Sequence, residues 1–313
     1  MNMISQCLST SRDPLQAVLD APGGAVLAII AGVEGPSYRP VGAAMAVLSE
    51  NERIGTLSSG CIEHDISLHA LQTREDGKPK SLRYGLGSPF VDIQLPCGGG
   101  LDVLLLPNPD HDAIREVIAH RANRTACTLE IDCNTGAMRV MKSGATGMTG
   151  SVLRVRYEPE IRFLTFGKGP EASTFSALVQ TLGYPNLLLS PDDETLEPAR
   201  QIGCDTRHMV SKIFPKDLNV DDRTAIVLFF HDHEWEPEIL CDALDTNAFY
   251  IGAQGSARAR DARLMALEAM GVSEEARARL HGPIGLIPST REARMLSVSV
   301  LAEVLASATV PAK

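Results

Sequence analysis

Among its 313 residues the chain has one tryptophan, only 4% aromatic residues, and 29 Lys and Arg against 39 Asp and Glu. A formal charge of -10 argues against a general nucleic-acid binder, which needs clustered cations to neutralise phosphates. No apolar run approaches the roughly 18 to 20 residues that span a bilayer. The first residues also lack a basic stretch followed by an apolar one, so no export signal is expected and the cytoplasm is the expected location. The seven cysteines, at 7, 61, 97, 127, 133, 204 and 241, are odd in number and scattered, and no CxxC pair occurs. That pattern excludes a disulfide framework and a zinc knuckle, and leaves free thiols as the expectation.

What the chain does have is apolar residues, 44% of the total, and length enough for two ordinary domains. In the first half, Ala25 to Val33 and Ala43 to Leu48 read as strands joined by the turn EGPSYRPVG, and CIEHDISLHALQTRED reads as a helix entered at Gly60 and Cys61. LPCGGG then precedes a buried strand at Leu101 to Leu106; a helix is expected over Asp110 to Ala122, and further strands near Thr128 to Ile131 and Ser151 to Arg156. The pattern changes at YEPE, which puts the domain boundary between 157 and 158. From there strand and helix alternate: IRFLTF, GKGPEA opening STFSALVQTLG, NLLLS, ETLEPARQIG, TAIVLFF, WEPEILCDALD, AFYIG and a helix-rich tail. The expected fold is therefore α/β, a mixed N-terminal domain (1–157) followed by a Rossmann-like, doubly wound parallel sheet (158–313).

Several places have the residue types that site chemistry uses. Gly167-Lys168-Gly169-Pro170-Glu171-Ala172 fits a G-x-G-x-x-A turn between strand and helix, the place where a pyrophosphate meets a helix N-terminus; the alternative is a plain tight turn. The acidic residue that would hold a ribose is missing, since the second strand ends in Ser190. His231-Asp232-His233 follows the strand TAIVLFF at a carboxyl edge, either lining a site or capping the next helix; two histidines and an aspartate fall short of a zinc ligand set. Gly252 to Ser256, with Arg258 and Arg260 beyond, either holds an anion or lets Ser256 cap a helix. Cys61 at a helix start and Cys97 before Gly98, Gly99 and Gly100 are candidate thiolates, against the plainer reading of small core residues. Arg39 adds a cation suited to a phosphate.

Taken together, Gly35 to Met45 (GPSYRPVGAAM), Gly55 to Glu63 (GTLSSGCIE) and Cys97-Gly98-Gly99 resemble the xanthine dehydrogenase accessory protein family, XdhC/CoxI. HDHEWEPEIL, YIGAQGSARAR, HGPIGL and SVSVLAEVLA resemble that family's C-terminal Rossmann domain, in the same order. The resemblance implies a chaperone that binds the molybdenum cofactor, supports its sulfuration by a cysteine desulfurase and delivers it to a xanthine dehydrogenase-type apoenzyme. Such a protein is more an accessory factor than an enzyme, and with the acidic surface it suggests a homodimer. On the N-terminal motifs the implied positions are Arg39, Gly42, Met45, Gly60, Cys61, Glu63, Cys97, Gly98 and Gly99, with Cys61 or Cys97 near the metal; on the C-terminal ones they are Gly167, Gly169, His231, Gly252, Gly255, Ser256, Pro283, Gly285 and Glu303. The alternatives are an NAD(P)-binding oxidoreductase using Gly167 to Ala172 with His231 as acid or base, and an adaptor that bridges desulfurase and apoenzyme without holding cofactor.

Overall fold

The computed structural model describes residues 13–21, 24–89, 95–232, 234–290 and 292–309; Cys7 and His233 lie outside them. The chain divides into two compact units, Met1–Pro159 and Glu160–Lys313.

In the first unit a short helix α1 (Pro14–Asp20), N-capped by Asp13, leads into β1 (Val26–Glu34), β2 (Ala44–Val47) and β3 (Arg53–Gly55). Helix α2 (Glu63–Asp76), β4 (Lys80–Gly85) and β5 (Gly100–Leu106) follow, and the five strands form an antiparallel sheet in the order β3-β2-β1-β5-β4. The near-continuous apolar run of β1 has a simple cause: both faces of this sheet are covered. Leu27 and Ile29 point into a core shared with α1, α3 (His111–Ala122) and a second sheet, whereas Val26, Ala28 and Ile30 point into a core under Ile62, Ile66 and Ala70 of the α2 region. The second sheet is β6 (Cys127–Asp132), β7 (Met138–Met141), β8 (Gly147–Thr149) and β9 (Val152–Tyr157), in the order β7-β6-β9-β8.

The second unit is a six-stranded, wholly parallel sheet: β10 (Arg162–Gly167), β11 (Asn186–Ser190), β12 (Asp205–His208), β13 (Thr224–Phe229), β14 (Tyr250–Ala253) and β15 (Leu280–His281), in the order β12-β11-β10-β13-β14-β15. Counted within the unit this is the 3-2-1-4-5-6 order of a Rossmann sheet, as the alternation of strand and helix implies. Helices α4 (Pro170–Thr181), α5 (Asp193–Gln201) and α9 (Ala293–Thr309) contribute to the core on one face around Phe163, Val227 and Phe229. Helices α6 (Glu236–Leu244) and α7 (Ala257–Ala269) contribute to the other around Leu164, Phe166 and Ile226; the short α8 (Glu274–Arg277) follows α7. The sheet reverses its winding between β10 and β13, where α/β proteins of this type bind ligands.

Candidate functional sites

Antiparallel pairing brings three connections to one end of the N-terminal sheet. Glu34, the last residue of β1, pairs with Gly100, the first of β5; Gly85 at the end of β4 pairs with the same Gly100; and Gly55 at the end of β3 faces Met45 near the start of β2. The segments 35–43, 56–62, 86–89 and 95–99 therefore lie at one end of the sheet, and they contain Arg39, Gly42, Gly60, Cys61, Cys97, Gly98 and Gly99. Two of the segments touch. A Cβ on Gly99 would lie 2.1 Å from the carbonyl oxygen of Pro36 and 2.8 Å from that of Glu34, so only glycine lets the GPSYR turn close over this strand entry. Gly42, at φ 90°, is similarly hemmed in: a Cβ would approach Val155 to 2.7 Å.

The 56–62 loop is built around a carboxylate. Glu63, 2% exposed, accepts through Oε1 from the Thr56 hydroxyl (2.6 Å) and the Leu57 (3.0 Å) and Ser58 (2.7 Å) N–H groups. Through Oε2 it accepts from the Ser58 hydroxyl (2.7 Å) and the Gly60 (2.9 Å) and Ile62 (3.2 Å) N–H groups. Burial alone would raise the Glu63 pKa, but the Thr56 and Ser58 hydroxyls and the loop N–H groups outweigh it and hold it down at about 2. The loop in turn presents Cys61, which is exposed, just ahead of the α2 N-terminus, with its N–H donated to the Ser58 hydroxyl at 3.1 Å. Cys97 is half-buried and packs against the core under α2. Arg39 is exposed; its N–H and carbonyl bracket the Ser37 hydroxyl, and among the described residues its guanidinium has no acidic partner. At the same end Arg83 donates to both Asp102 oxygens (3.1 and 3.0 Å), to Glu34 and to the Leu86 carbonyl (2.9 Å), a clasp across β1, β4 and β5 that the sequence reading missed. The available signal was Gly32, an isolated glycine in an apolar strand: it marks a register shift, and a Cβ there would meet Asp102 Oδ2 at 2.6 Å.

The exposure of the thiols sets an order of reactivity. Burial raises the Cys127 thiol pKa and pushes that of Cys204 up to about 11, with Asp205 adding to the latter. In a Cys7→Ser background, native-state alkylation at neutral pH is expected to mark Cys61 first and to leave Cys127 and Cys204 unmodified until unfolding, as read by peptide mass spectrometry. Equal labelling of Cys61 and Cys204 would contradict this placement.

In the second unit Gly167 packs strand against helix, with a Cβ there 2.5 Å from the Phe229 carbonyl and 2.9 Å from Ala172. The β10 turn is otherwise poorly furnished for a pyrophosphate. The Gly169 N–H is already donated to the Thr195 hydroxyl at 2.8 Å, Pro170 has none, and Glu171 places a carboxylate in the first turn of α4, 3.3 Å from His231 Nε2. Lys168 is paired with Asp232 at 2.7 Å and lies 5.6 Å from the ring centre of Trp235. Ser190 is buried, its hydroxyl accepting the Asp192 N–H at 3.1 Å, and Asp192 caps α5.

Ser256 caps α7, accepting the Ala259 N–H at 3.2 Å. Gly252 needs its missing side chain, since a Cβ would lie 2.7 Å from both Ile284 and the Tyr250 ring. Glu303 accepts from the Tyr250 hydroxyl (2.8 Å) and the Gly285 N–H and lies 3.6 Å from His281 Nδ1, tying the segment after β15 to α9; Pro283 follows Gly282 in that segment. Burial works against the Glu303 carboxylate, but its bonds to His281, Tyr250 and Gly285 hold it below the usual range.

Sequence comparison assigns both units. The sequence model of the XdhC and CoxI family matches residues 18–85, and that of the XdhC Rossmann domain matches residues 163–304. The chain is 30% identical over 284 residues to the molybdenum cofactor insertion chaperone PaoD of Escherichia coli (strain K12), covering 90% of this chain and 82% of that one. The chain belongs to the XdhC and CoxI family. It is also 23% identical over 337 residues to a probable xanthine dehydrogenase subunit of Bacillus subtilis (strain 168), covering 93% and 95% of the two. The fold of a Bacillus halodurans crystal structure described as a xanthine dehydrogenase is similar along the whole length, with a TM-score of 0.78 at 19% identity over 99% of this chain and 98% of that one. Among the described residues no group of three or more His, Cys, Asp or Glu side chains is placed to hold a metal ion, and no helix is long and apolar enough to cross a membrane.

Proposed function

We propose that this XdhC/CoxI protein is a chaperone that carries the molybdenum cofactor to a molybdoenzyme of the xanthine dehydrogenase type, and that it holds its cargo at the end of the N-terminal sheet where residues 35–43, 56–62 and 95–99 lie. The observation that carries the proposal is the loop fastened by Glu63, which presents exposed Cys61 at the same sheet edge as the exposed Arg39 cation and the Cys97-Gly98-Gly99 turn. The cargo joins an anionic phosphate to a thiolate-bound metal, so it calls for a cation and a soft sulfur ligand, and this edge has both in Arg39 and the Cys61 and Cys97 thiols. Arg39 with the glycine-rich turns serves the phosphate and pterin end, and Cys61 or Cys97 serves the metal end. Glu63 contributes by shaping the loop, both of its oxygens being turned onto the loop itself.

Relatives named as an insertion chaperone and as part of a probable xanthine dehydrogenase support this reading. The finer parts of the proposal are a cysteine desulfurase that supplies the cofactor's terminal sulfur while it is held, a homodimer, and a location in the cytoplasm. The NAD(P) oxidoreductase reading has less support: the Gly169 N–H is occupied and Glu171 stands where a pyrophosphate would sit.

Anaerobic incubation with molybdenum cofactor, followed by gel filtration and quantification of molybdenum and pterin per chain, tests the proposal. Near-stoichiometric retention is expected for the wild type, with a loss of about tenfold or more in Cys61→Ser, in Cys97→Ser or in both. Undiminished retention in the double variant would remove the thiolates from the site, and no retention by the wild type would overturn the chaperone reading.

A further inference from the structure

One sulfur pair in the N-terminal unit has no part in the proposed function. Cys133 directly follows β6, and its N–H donates to the Ser151 carbonyl at 2.8 Å. Met148 is the middle residue of β8, where it pairs with Leu153 of β9, and β9 separates β8 from β6 in the sheet. The Met148 side chain therefore reaches across β9, and its Sδ accepts a hydrogen bond from the Cys133 thiol at 3.9 Å. Cys133 is half-buried and packs against the core that includes Ile131 and Leu153, whereas Met148 is 44% exposed, so the pair has one dry side and one side open to solvent.

The separation suits an ion held between the two sulfurs. Metal–sulfur bonds are about 2.3 Å, so two sulfurs on one ion stand roughly 3.8 Å apart at a tetrahedral angle and about 4.6 Å apart in line. The pair is already within that range, and the unbranched Met148 side chain can open it further. The thiol proton now occupies the place between the sulfurs. Burial raises the Cys133 pKa, the Leu153 N–H lowers it in part and the Asp132 charge raises it again, so the proton is in place at neutral pH.

The ligand types select the ion. Thiolate and thioether sulfur together favour Cu(I). Zn(II) calls for a fuller set of harder ligands, and among the described residues no group of three or more His, Cys, Asp or Glu side chains is placed to supply one. The Asp132 carboxylate beside Cys133 is already turned onto Asn134, Thr135 and Ser151. Exchanging one proton for one monovalent ion also leaves the charge of the half-buried site unchanged, which a divalent ion would not.

We propose that Cys133 and Met148 bind one Cu(I) ion, with the Cys133 thiolate and the Met148 thioether as its two protein ligands. The thiol S–H bond breaks, its proton passes to water and a sulfur–copper bond takes its place, with no change of oxidation state. Neither residue lies in the 35–43, 56–62 or 95–99 segments, so the site does not depend on the cofactor reading.

The full chain, isotopically labelled at its methionine methyl groups and titrated anaerobically with Cu(I) buffered by bathocuproine disulfonate, tests the proposal. The buffer fixes free Cu(I), so other thiols do not deplete it, and Met148→Leu identifies the Met148 methyl resonance. A saturable shift of that resonance is expected, and Cys133→Ser should abolish it or raise its midpoint about tenfold or more in free Cu(I), with the other methionine resonances in place as the check on folding. Because binding releases one proton, the midpoint should fall about tenfold in free Cu(I) for each unit of rising pH near neutrality. Buffered Zn(II) should leave the resonance unmoved. No saturable shift, an unaffected Cys133→Ser variant or a midpoint independent of pH would overturn the site, and an equal shift with Zn(II) would overturn the choice of ion. Molybdenum retention enters none of these outcomes, so the two proposals fail separately.

Discussion

Glu63→Gln destabilises the N-terminal unit by about 3 kcal/mol at neutral pH and releases the 56–62 loop, although the substitution changes side-chain volume very little. The carboxylate accepts from six N–H and O–H donors and has no donor of its own. An amide turns one of the two oxygens into a group that faces donors with donors, which leaves buried N–H groups unsatisfied. Urea unfolding of the N-terminal unit, with the 56–62 amides followed by hydrogen exchange, measures both effects. A variant with wild-type stability and wild-type protection at Leu57 and Ser58 would contradict this account.

The same residue makes an acid-labile element. The Glu63 pKa is about 2 in the folded chain against an ordinary 4.5, so its ionised form is favoured by folding. The stabilisation is complete above pH 4.5 and is lost as the pH falls from 4.5 towards 2, amounting to about 3 kcal/mol in all. The stability gap between wild type and Glu63→Gln is therefore expected to narrow across that window, and a gap independent of pH would rule the mechanism out.

Arg263→Ala destabilises the Rossmann unit by about 3–5 kcal/mol, because it leaves the Glu236 carboxylate buried without its guanidinium. The pair is bidentate, with side chains 2% and 1% exposed, and joins the start of α6 to the middle of α7. Removing both charges is a different matter: Glu236→Leu with Arg263→Met replaces two desolvated ions by packed hydrocarbon, and is expected to recover most of the loss. Denaturant midpoints of the C-terminal transition for both single variants and the double variant form a double-mutant cycle. Additive losses would show that the two charges do not depend on one another.

The fold was legible where burial writes itself into local pattern. β10, β13 and the core of β1 are covered on both faces, so they read as mostly apolar runs, broken in β10 by the buried Thr165, and the helices between the Rossmann strands are long enough to announce themselves. β7 and β12 were not legible: both are four residues long and mostly half-exposed, so the sequence shows neither a run nor an alternation. The motif positions likewise placed Glu63, Gly99 and Ser256 among the residues that matter without saying how.

Composition and periodicity by themselves determined a two-part α/β protein with a Rossmann-like second half, and the order of its motifs resembled the XdhC and CoxI family to which comparison assigned it. Only the tertiary structure decided that Gly99 is needed by the carbonyl of Pro36, that Thr195 takes the Gly169 N–H, and that Arg263 finds Glu236. The reason is one of range. Propensity and burial act over a few residues and leave a trace in local sequence, whereas the direction of a polar side chain is set by partners that the chain brings from far away, 63 residues in the case of Gly99 and Pro36 and 27 in that of Arg263 and Glu236.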